Sequence, residues 1–404
     1  MKIALPGDVS LILSRLEKAG FEAYAVGGCI RDSLLGKVPK DWDVTTNAKP
    51  LEVKALFKKS FDTGIEHGTV TVLLGESGYE ITTYRVDGTY SDGRHPDGVT
   101  FSSSLEEDLK RRDFTINAMA YSPDRGLVDI FAGEQDLAQK RIRAVGTPQK
   151  RFMEDALRML RGIRFGAELG FQIDPATLQA MIEKSSLLEN VSKERIFSEL
   201  NKILLSPHPK AMGLVWETGL YTFVGSLFAK IPPQAVQALG PLQGEKFIPW
   251  GWFLQSMSQA EAVGILRELR SDKETQKKCQ LLHQLLGAPL PGGKPEIRKA
   301  LHQCGREVFE ALLYVKQQLD PLLDQGAMHR LENQYREILE HQDPFTLDML
   351  GIRGQDLLEA GFVPGKELGR ILNTLLEEVM EDPSQNQRES LLLRAHALAV
   401  KSHS

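Results

Sequence analysis

The chain has 404 residues, of which 42% are hydrophobic and 25% charged, a composition typical of a globular protein with about two to four domains. No apolar run approaches the ~20 residues that cross a bilayer, and the start carries no secretory signal, so we expect a cytoplasmic protein without a membrane partner. The formal net charge of −5 argues against general coating of RNA, and three widely spaced cysteines argue against a disulfide framework or a zinc site.

The first predicted elements mix helices and strands, as in an α+β domain. In chain order they are a helix Asp8–Ala19, a strand Ala23–Val26, a brief helix ending at Leu35, a strand Trp42–Thr45, and two strands Thr69–Leu74 and Tyr79–Tyr84. Asp8 can cap the first helix, and Gly20 follows its end. The segment Gly75–Gly78 predicts a hairpin turn between the last two strands.

Beyond Pro148 the pattern becomes helical. Lys150–Leu169 predicts one continuous helix that ends near Gly170, and Ser192–Leu205 predicts another. Proline and glycine breaks divide the remainder, and no internal repeat is apparent. The sequence therefore predicts an N-terminal domain of mixed helices and strands, followed by a long helical region.

The most informative stretch combines two glycines, an arginine and two carboxylates in a strand–helix–strand segment. Asp41 and Asp43 are separated by one residue on a predicted strand, so their side chains share a face. Two such carboxylates can bind two Mg²⁺ ions ~3.5–4 Å apart, one activating an attacking oxygen and the other stabilising a leaving pyrophosphate. Gly27 and Gly28 allow the backbone to approach a phosphate, and Arg31 can neutralise triphosphate charge. Each feature alone is usually a turn or strand end, but their combination favours a nucleotide site.

These residues resemble motif A of the polymerase-β-type nucleotidyltransferases, and more narrowly that of the class II tRNA nucleotidyltransferases and bacterial poly(A) polymerases. The matching positions are Gly27-Gly28, Arg31-Asp32, Asp41-x-Asp43 and Thr45-Thr46. The resemblance implies a polymerase-β-like head domain with an antiparallel or mixed sheet, followed by an all-helical neck, body and tail. We expect these at residues 1–146, 147–206 and 207–404, respectively.

The same resemblance implies a reaction and its substrates. The enzyme would add nucleotides from CTP and ATP to the 3′ end of a tRNA, completing CCA or adding its terminal A. Asp41 and Asp43 would bind Mg²⁺, while Gly28 and Arg31 would bind the triphosphate. The sequence specifies no oligomeric state.

Two further segments match the family. Lys110–Ala120 resembles its motif B, which implies that Arg112 contacts the incoming triphosphate and that Asp113 lies near the ribose. Glu154–Phe165 resembles its amino-acid template, the segment that selects the base. On the predicted helix Asp155 and Arg158 share a face. Arg161 and Arg164 continue at three-residue steps and are expected to help by meeting phosphate or the RNA end.

The chemistry of Asp155 and Arg158 suits cytosine and adenine. Each of these bases presents an amino donor beside a ring-nitrogen acceptor, so Asp155 can accept the first hydrogen bond and Arg158 can donate the second. Guanine and uracil reverse both groups, which leaves buried polar atoms unpaired at a cost of ~1–3 kcal/mol each. Without the other motifs, an aspartate and an arginine at this spacing would be read as a surface ion pair that contributes only ~0.3–0.5 kcal/mol to stability.

Three other segments bear on the family resemblance. In the family, a flexible loop at the place of Asp87–Asp97 accompanies addition of the terminal A. Glu80 is either a third carboxylate facing the metals or a solvent-side strand residue. Gly361–Leu372 is either an ordinary helix start or a helix N-terminus that binds the tRNA backbone.

Three alternative functions remain open. The first is an A-adding enzyme that works with a separate CC-adding enzyme. The second is a poly(A) polymerase, against which the acidic total argues. The third is a non-catalytic RNA-binding protein on a nucleotidyltransferase fold, against which the presence of both Asp41 and Asp43 argues.

Overall fold

The computed structural model describes residues 3–64, 68–87, 99–320 and 323–402. The chain forms two compact units, Met1–Pro241 with Gly264–Ser271, and Leu242–Val263 with Asp272–Ser404. A mixed sheet near the N-terminus and a mostly helical remainder confirm the predicted fold class. No helix in the described ranges is long and apolar enough to span a membrane. Most of the polar segment Asp87–Asp97, from residue 88 onward, lies outside the described residues.

The strands are β1 Ala23–Val26, β2 Asp43–Thr46, β3 Ser60–Gly64, β4 Thr69–Leu74, β5 Ser77–Thr83, β6 Arg85–Asp87, β7 Val99–Phe101, β8 Ala120–Ser122, β9 Gly126–Val128, β10 Arg141–Ile142 and β11 Gln172–Ile173. The helices of the first half are α1 Gly7–Lys18, α2 Gly28–Leu34, α3 Pro50–Leu56, α4 Leu105–Lys110, α5 Gly133–Ala138, α6 Pro148–Glu154, α7 Leu157–Leu169, α8 Pro175–Lys184 and α9 Lys193–Leu204. The later helices are α10 Gly213–Glu217, α11 Tyr221–Val224, α12 Gln234–Gln237, α13 Phe247–Phe253, α14 Gln259–Glu268, α15 Lys273–Leu286, α16 Lys294–Leu319, α17 Gln325–Glu340, α18 Gly354–Glu359, α19 Lys366–Glu381 and α20 Arg388–Ser402.

A seven-stranded sheet in the order β3-β4-β5-β2-β1-β8-β9 forms the centre of the N-terminal region. The β2–β5 pair is parallel and the other pairs are antiparallel, so the sheet is mixed. The central strand β1 is buried along its whole length. Ala23 and Ala25 belong to one hydrophobic cluster, and Tyr24 and Val26 to another. Because strand side chains alternate, these clusters cover opposite faces of the sheet.

The predicted N-terminal elements are confirmed with small shifts. Helix α1 buries one apolar face as expected, but it begins after Pro6 and Asp8 does not cap it. Asp8 instead accepts a hydrogen bond from the hydroxyl of Tyr79 at 3.0 Å. The hairpin is tighter than predicted, because Leu74 pairs directly with Ser77 and only two residues form the turn. Strand β2 begins at Asp43, so Asp41 precedes the strand.

The prediction of one continuous helix over Lys150–Leu169 is wrong. Helix α6 ends at Glu154 and helix α7 begins at Leu157, with Asp155 in an extended conformation (φ −147°, ψ 106°) between them. The Asp155 carboxylate accepts the backbone N–H of Leu157 at 3.0 Å. A short acidic side chain that bonds to its own backbone competes with the helix, which explains the break.

The second unit is helical and has its own core. Helices α18, α19 and α20 share a hydrophobic cluster centred on Leu357, Leu375 and Leu391. Helix α16 changes direction at Gly305, where φ is 78°. The buried Arg298 of α16 donates to the carbonyl of Met380 at 2.6 Å, which fixes α16 against the end of α19.

Candidate active site

The two predicted catalytic carboxylates lie at the start of β2. Asp41 and Asp43 are exposed, whereas Trp42 between them is 9% exposed, so the two aspartates share the solvent face as the sequence predicts. The β1–β2 register pairs Val26 with Asp43. Asp43 therefore lies beside the end of β1, where the Gly27-Gly28 turn follows.

A third carboxylate lies next to this pair. Strand β5 runs parallel to β2 with Val44 opposite Ile81, which places Glu80 near Asp43. Although Asp43 is exposed, the protein atoms around its carboxylate partly remove it from water and so raise its pKa. The nearby Arg112 guanidinium opposes this, and the negative charges of Glu80 and Asp41 raise the pKa further. Of the two alternatives for Glu80, the structure favours the one that faces the metal site.

This concentration of negative charge fits a divalent cation, which would relieve the repulsion that raises the pKa of Asp43. Within the described ranges, no group of three or more His, Cys, Asp or Glu residues is arranged to bind a metal ion. Mg²⁺ usually binds to one or two carboxylates together with substrate phosphates, rather than in a cage made only of protein ligands. The site therefore fits a cation whose coordination is completed by a nucleotide.

The Gly27-Gly28 turn brings two arginines to the same place. Gly27 has φ 86°, and a Cβ there would lie 3.0 Å from Nη1 of Arg112, so only glycine fits this turn without strain. Gly28 begins α2, and an added Cβ would lie 3.6 Å from Nη2 of Arg31. Arg31 donates to Asp32 at 2.9 Å and to the side-chain oxygen of Asn117 at 2.8 Å. These contacts fix Arg31 beside the turn.

Among the described residues, only part of the Arg112 guanidinium has a hydrogen-bond acceptor. The fully buried Asp108 accepts hydrogen bonds from Arg111 at 2.7 and 3.0 Å and from Arg112 at 3.4 Å. Burial alone would raise the pKa of Asp108, but the positive charges of Arg111 and Arg112 lower it. Nε of Arg112 is buried and has no hydrogen-bond partner among the described residues. The Arg112 side chain as a whole is 19% exposed, so the accessible part of its guanidinium could donate to an anionic ligand.

A cavity of about 260 Å³ lies next to Arg112 and is rich in arginine. Its lining residues are Arg111, Arg112, Asp113, Asp155, Arg158, Arg161 and Arg195. The structure thus brings together Arg112, Asp155, Arg158 and Arg161, all predicted from the sequence as nucleotide-binding residues. With five arginines and two aspartates, the cavity is suited to a polyanion such as a nucleoside triphosphate.

Asp155 and Arg158 each have a separate partner of opposite charge. Asp155 does not lie on α7, the helix that carries Arg158, so the prediction that helical spacing places them on one face is wrong. Both residues nevertheless line the cavity. The Asp155 carboxylate accepts from Arg195 at 2.8 Å. Arg158 donates to Glu154 at 2.8 Å and to the carbonyl of Arg111 at 3.0 Å. Each of the two residues therefore has its own counter-charge, so they need not neutralise each other.

Asp113 connects the segment that follows α4 to helix α7. It accepts two hydrogen bonds from Arg161, at 2.7 and 2.9 Å, and one from the side chain of Asn117 at 3.2 Å. Burial would raise the pKa of Asp113, but Arg161, with help from Arg158 and Asn117, lowers it to about 2. Asn117 also accepts from Arg31, so a continuous network joins Arg31 to Arg161.

Asp113→Asn is expected to lower the free energy of unfolding by about 2–3 kcal/mol at neutral pH, because a pKa near 2 replaces an ordinary value of about 4. A lowered carboxyl pKa stabilises the fold above the unfolded-state pKa, and this stabilisation is lost as the pH falls through the folded-state value. The difference between wild type and variant in urea unfolding should therefore shrink between about pH 4 and pH 2. An equal difference at neutral and acidic pH would contradict this role.

Arg164 lies apart from the cavity lining. It is 8% exposed, donates to Glu199 at 2.6 Å and to Glu168 at 2.8 Å, and therefore does not have the predicted position facing a ligand. Its guanidinium carbon lies 4.1 Å from the ring centre of Phe165, which Arg31 and Arg161 also approach, at 5.3 and 5.5 Å. Such cation–π contacts favour a role for Arg164 and Phe165 in supporting the site.

Sequence reasoning assigned no contact in the site to Asn117, Phe165 or Arg195, although each lies in a segment that resembles the family. Arg195 lies in the first turn of α9, forty residues from the aspartate that it contacts, and no local pattern indicates that pairing. Asn117 lies within the segment that resembles motif B, but the resemblance does not indicate which residues Asn117 contacts.

Comparison with known protein families gives matches along most of the chain. The poly A polymerase head domain family matches residues 23–143, and a family described as an RNA and SrmB-binding site of polymerase A matches residues 170–228. A tRNA nucleotidyltransferase domain 2 family matches residues 246–395.

Two relatives that align with nearly the whole chain are both CCA-adding enzymes. The chain is 37% identical over 397 residues to the CCA-adding enzyme of Lacticaseibacillus paracasei, covering 97% of this chain and 95% of the relative. It is 40% identical over 401 residues to that of Limosilactobacillus fermentum, covering 96% of each.

Solved structures agree with these matches. The Bacillus stearothermophilus CCA-adding enzyme in complex with CTP has a TM-score of 0.83 at 29% identity, covering 98% of this chain and 97% of that chain. A Thermotoga maritima CCA-adding enzyme complexed with tRNA-CCA shares the fold, with a TM-score of 0.66 at 20% identity and 98% of this chain covered, 100% of that chain.

Proposed function

Because the chain belongs to the family of CCA-adding enzymes, which are tRNA nucleotidyltransferases, we propose that it adds CCA, or its terminal A, to the 3′ end of tRNA. The substrates are CTP, ATP and the tRNA 3′ end. The observation that carries this proposal is the arginine-rich cavity, in which Asp155 and Arg158 lie beside Arg112. Such a cavity offers separate contacts for a base and for a triphosphate.

The proposed reaction is attack of the RNA 3′-hydroxyl on the α-phosphate, with pyrophosphate as the leaving group. This family uses a divalent metal ion, and we propose Mg²⁺ bound by Asp41 and Asp43, with Glu80 adding negative charge beside them. Bound there, the metal would lower the pKa of the attacking hydroxyl and neutralise the developing phosphate charge. The α-phosphate would lie beside these carboxylates.

The proposed triphosphate contacts come from the turn after β1 and from Arg112. The backbone at Gly28, which begins α2, carries no side chain that would keep a phosphate away from it. Arg31 contributes positive charge, and the accessible part of the Arg112 guanidinium donates to a phosphate oxygen. Arg161 lines the same cavity and adds positive charge, whereas Arg164 supports the site from its buried position.

Asp155 and Arg158 are the proposed selectors of the base. The Asp155 carboxylate can still accept a hydrogen bond from the amino group of cytosine or adenine, because each of its oxygens has a second lone pair. Arg158 donates to the neighbouring ring nitrogen. Residues 1–146, 147–206 and 207–404 are the proposed head, neck, and body with tail, and the last of these would bind the tRNA.

The deciding experiment is primer extension on three tRNAs, ending at the discriminator base, at C and at CC. Each receives Mg²⁺ with CTP, with ATP or with both. Growth of the first tRNA by CCA and no further would support complete CCA addition, and extension of only the CC-ending tRNA would indicate an A-adding enzyme. A long ATP-dependent ladder would indicate a poly(A) polymerase, and absence of incorporation would overturn the proposal.

A further inference from the structure

Helix α7 places an arginine and an aromatic ring of the candidate site on one face. Arg161 and Phe165 are four residues apart on α7, which makes them neighbours on the helix surface. The guanidinium carbon of Arg161 lies over the Phe165 ring, 5.5 Å from its centre, and that of Arg31 lies over the same ring at 5.3 Å. Arg31 belongs to α2, after the Gly27-Gly28 turn, whereas Arg161 lines the arginine-rich cavity. Phe165 therefore contacts an arginine from each of these two places.

The position of the Phe165 ring is fixed by its surroundings. Phe165 is 5% exposed and belongs to the main hydrophobic cluster of the N-terminal region. The fully buried Phe114 meets it edge to face, with ring centres 5.8 Å apart and an angle of 81° between the planes. The buried Arg164 lies over it at 4.1 Å from the ring centre. A ring enclosed in this way is a rigid support for Arg31 and Arg161.

Each of the three arginines around this ring also has a carboxylate partner. The pairs are Arg31 with Asp32, Arg161 with Asp113 and Arg164 with Glu199, at 2.8, 2.7 and 2.6 Å, respectively. The three positive charges still repel one another where water is partly excluded. The negative face of an aromatic ring attracts cations and takes up none of their N–H groups. A further carboxylate at this place would instead accept hydrogen bonds from the N–H groups that a phosphate needs.

Donors remain available on both arginines. Arg161 donates to Asp113 through Nε and Nη2, and within the described part of the chain no acceptor contacts its Nη1. The Arg161 side chain is 35% exposed, so part of it is accessible to a ligand. Each terminal nitrogen of Arg31 carries two hydrogens. Among the described residues each has one acceptor, Asn117 for Nη1 and Asp32 for Nη2, both at 2.8 Å, so one hydrogen on each remains.

We propose that Phe165 is a positioning residue for triphosphate binding, which holds Arg31 and Arg161 at a fixed separation so that one triphosphate contacts both. The inference rests on the proposed function, because it assigns phosphate contacts to these two arginines. The ring itself need not touch the nucleotide. Its effect falls on the phosphates, which CTP and ATP share, and not on the choice of base by Asp155 and Arg158.

The test is Phe165→Leu, which keeps an apolar side chain and removes the ring. We expect the KM for CTP and for ATP to rise by about three- to tenfold each with little change in kcat, because a phosphate contact made equally in the bound substrate and the transition state changes KM alone. A change of about tenfold corresponds to about 1.4 kcal/mol. The ratio of kcat/KM for CTP to that for UTP should remain that of the wild type.

A base-free probe gives a second measurement. Tripolyphosphate has neither base nor ribose, and its binding to the full-length protein with Mg²⁺ present can be measured by calorimetry. Its affinity for Phe165→Leu should fall in the same proportion as the KM values rise. If Phe165→Leu does not fold, as judged by thermal unfolding, Phe165→Met replaces it, since methionine fills similar space without a ring.

Phe57→Leu is the matched control. Phe57 is 2% exposed in the same hydrophobic cluster, and Arg15 lies over its ring at 5.1 Å, but neither residue lines the cavity. This variant loses the same atoms and the same kind of contact, yet it should keep wild-type KM values and tripolyphosphate affinity. Phe165→Tyr retains the ring and should keep KM within about twofold of the wild type, even where its unfolding temperature falls.

Four results would overturn the inference. These are wild-type KM values in Phe165→Leu, equal losses in Phe165→Leu and Phe57→Leu, a rise in KM for only one of the two nucleotides, and a Phe165→Tyr variant as impaired as Phe165→Leu. A wild type that does not bind tripolyphosphate would also overturn it, because Phe165 would then have no phosphate site to support. The proposed function is judged separately, by whether the wild type adds CCA or its terminal A. Tripolyphosphate binding needs no tRNA, so it tests Phe165 whatever that result is.

Discussion

Asp43→Asn is expected to reduce nucleotide incorporation into tRNA by about a thousandfold or more, equivalent to about 4 kcal/mol of transition-state stabilisation. Asparagine keeps the shape of the side chain but removes the negative charge that we propose binds the metal. Asp41 and Glu80 cannot compensate, because the position beside the Gly27-Gly28 turn belongs to Asp43. The measurement is single-turnover extension of a tRNA ending in CC, with ATP and Mg²⁺.

The stability of the same variant separates lost chemistry from lost folding. The pKa of Asp43 is raised because surrounding protein atoms partly remove its carboxylate from water and, more weakly, because Glu80 and Asp41 are negatively charged, against the opposing charge of Arg112. A raised carboxyl pKa means that the ionised form disfavours the folded state, so at neutral pH the uncharged variant should unfold at a temperature no lower than the metal-free wild type. Mg²⁺ should raise the unfolding temperature of the wild type more than that of the variant.

Asp62→Asn is the control for this prediction. Asp62 is a carboxylate on β3 of the same sheet, and it pairs with Lys54 at 2.7 Å on the exposed surface. This variant should incorporate nucleotides like the wild type. Rates for Asp43→Asn and Asp62→Asn within about tenfold of each other, a difference of about 1.4 kcal/mol, would exclude Asp43 from the metal site.

The parts of the site that could be predicted from the sequence are those set by neighbouring residues. Alternation along a strand was sufficient to place Asp41 and Asp43 on one face, even though the strand begins later than expected. Two adjacent glycines indicated a turn between a strand and a helix, and φ 86° at Gly27 shows why glycine stands there. Such constraints act over a few residues, so they can be recognised in a single sequence.

The parts that could not be predicted depend on contacts between distant segments. Asp155 breaks the expected helix while its carboxylate pairs with Arg195, forty residues away. Arg164 has the spacing of a template residue, yet Glu199 of α9 pairs with it away from the cavity. Helical periodicity gives the direction of a side chain on an ideal helix, but it gives neither the position of a break nor the choice among several ion-pair partners.

Arg112→Met is expected to raise the KM for CTP and for ATP by about 10–100-fold, since a hydrogen bond to a charged group contributes about 1.5–3 kcal/mol. Both nucleotides should be affected alike, because the proposed contact is with phosphate and not with the base. The structural reason is that Arg112 lines the cavity with its side chain partly exposed, while its contact with Asp108 is long, at 3.4 Å. Steady-state kinetics with each nucleotide in turn provide the measurement.

Arg111→Met distinguishes phosphate binding from damage to the fold. Arg111 and Arg112 share the buried Asp108, but Arg111 makes the shorter contacts, at 2.7 and 3.0 Å against 3.4 Å. Loss of Arg111 should therefore destabilise the protein at least as much as loss of Arg112, because it leaves more of the negative charge of Asp108 uncompensated. Its effect on KM should be smaller, since its donors are already engaged. If the two variants raised KM equally, the integrity of the Asp108 cluster, and not a phosphate contact by Arg112, would explain the loss of nucleotide binding.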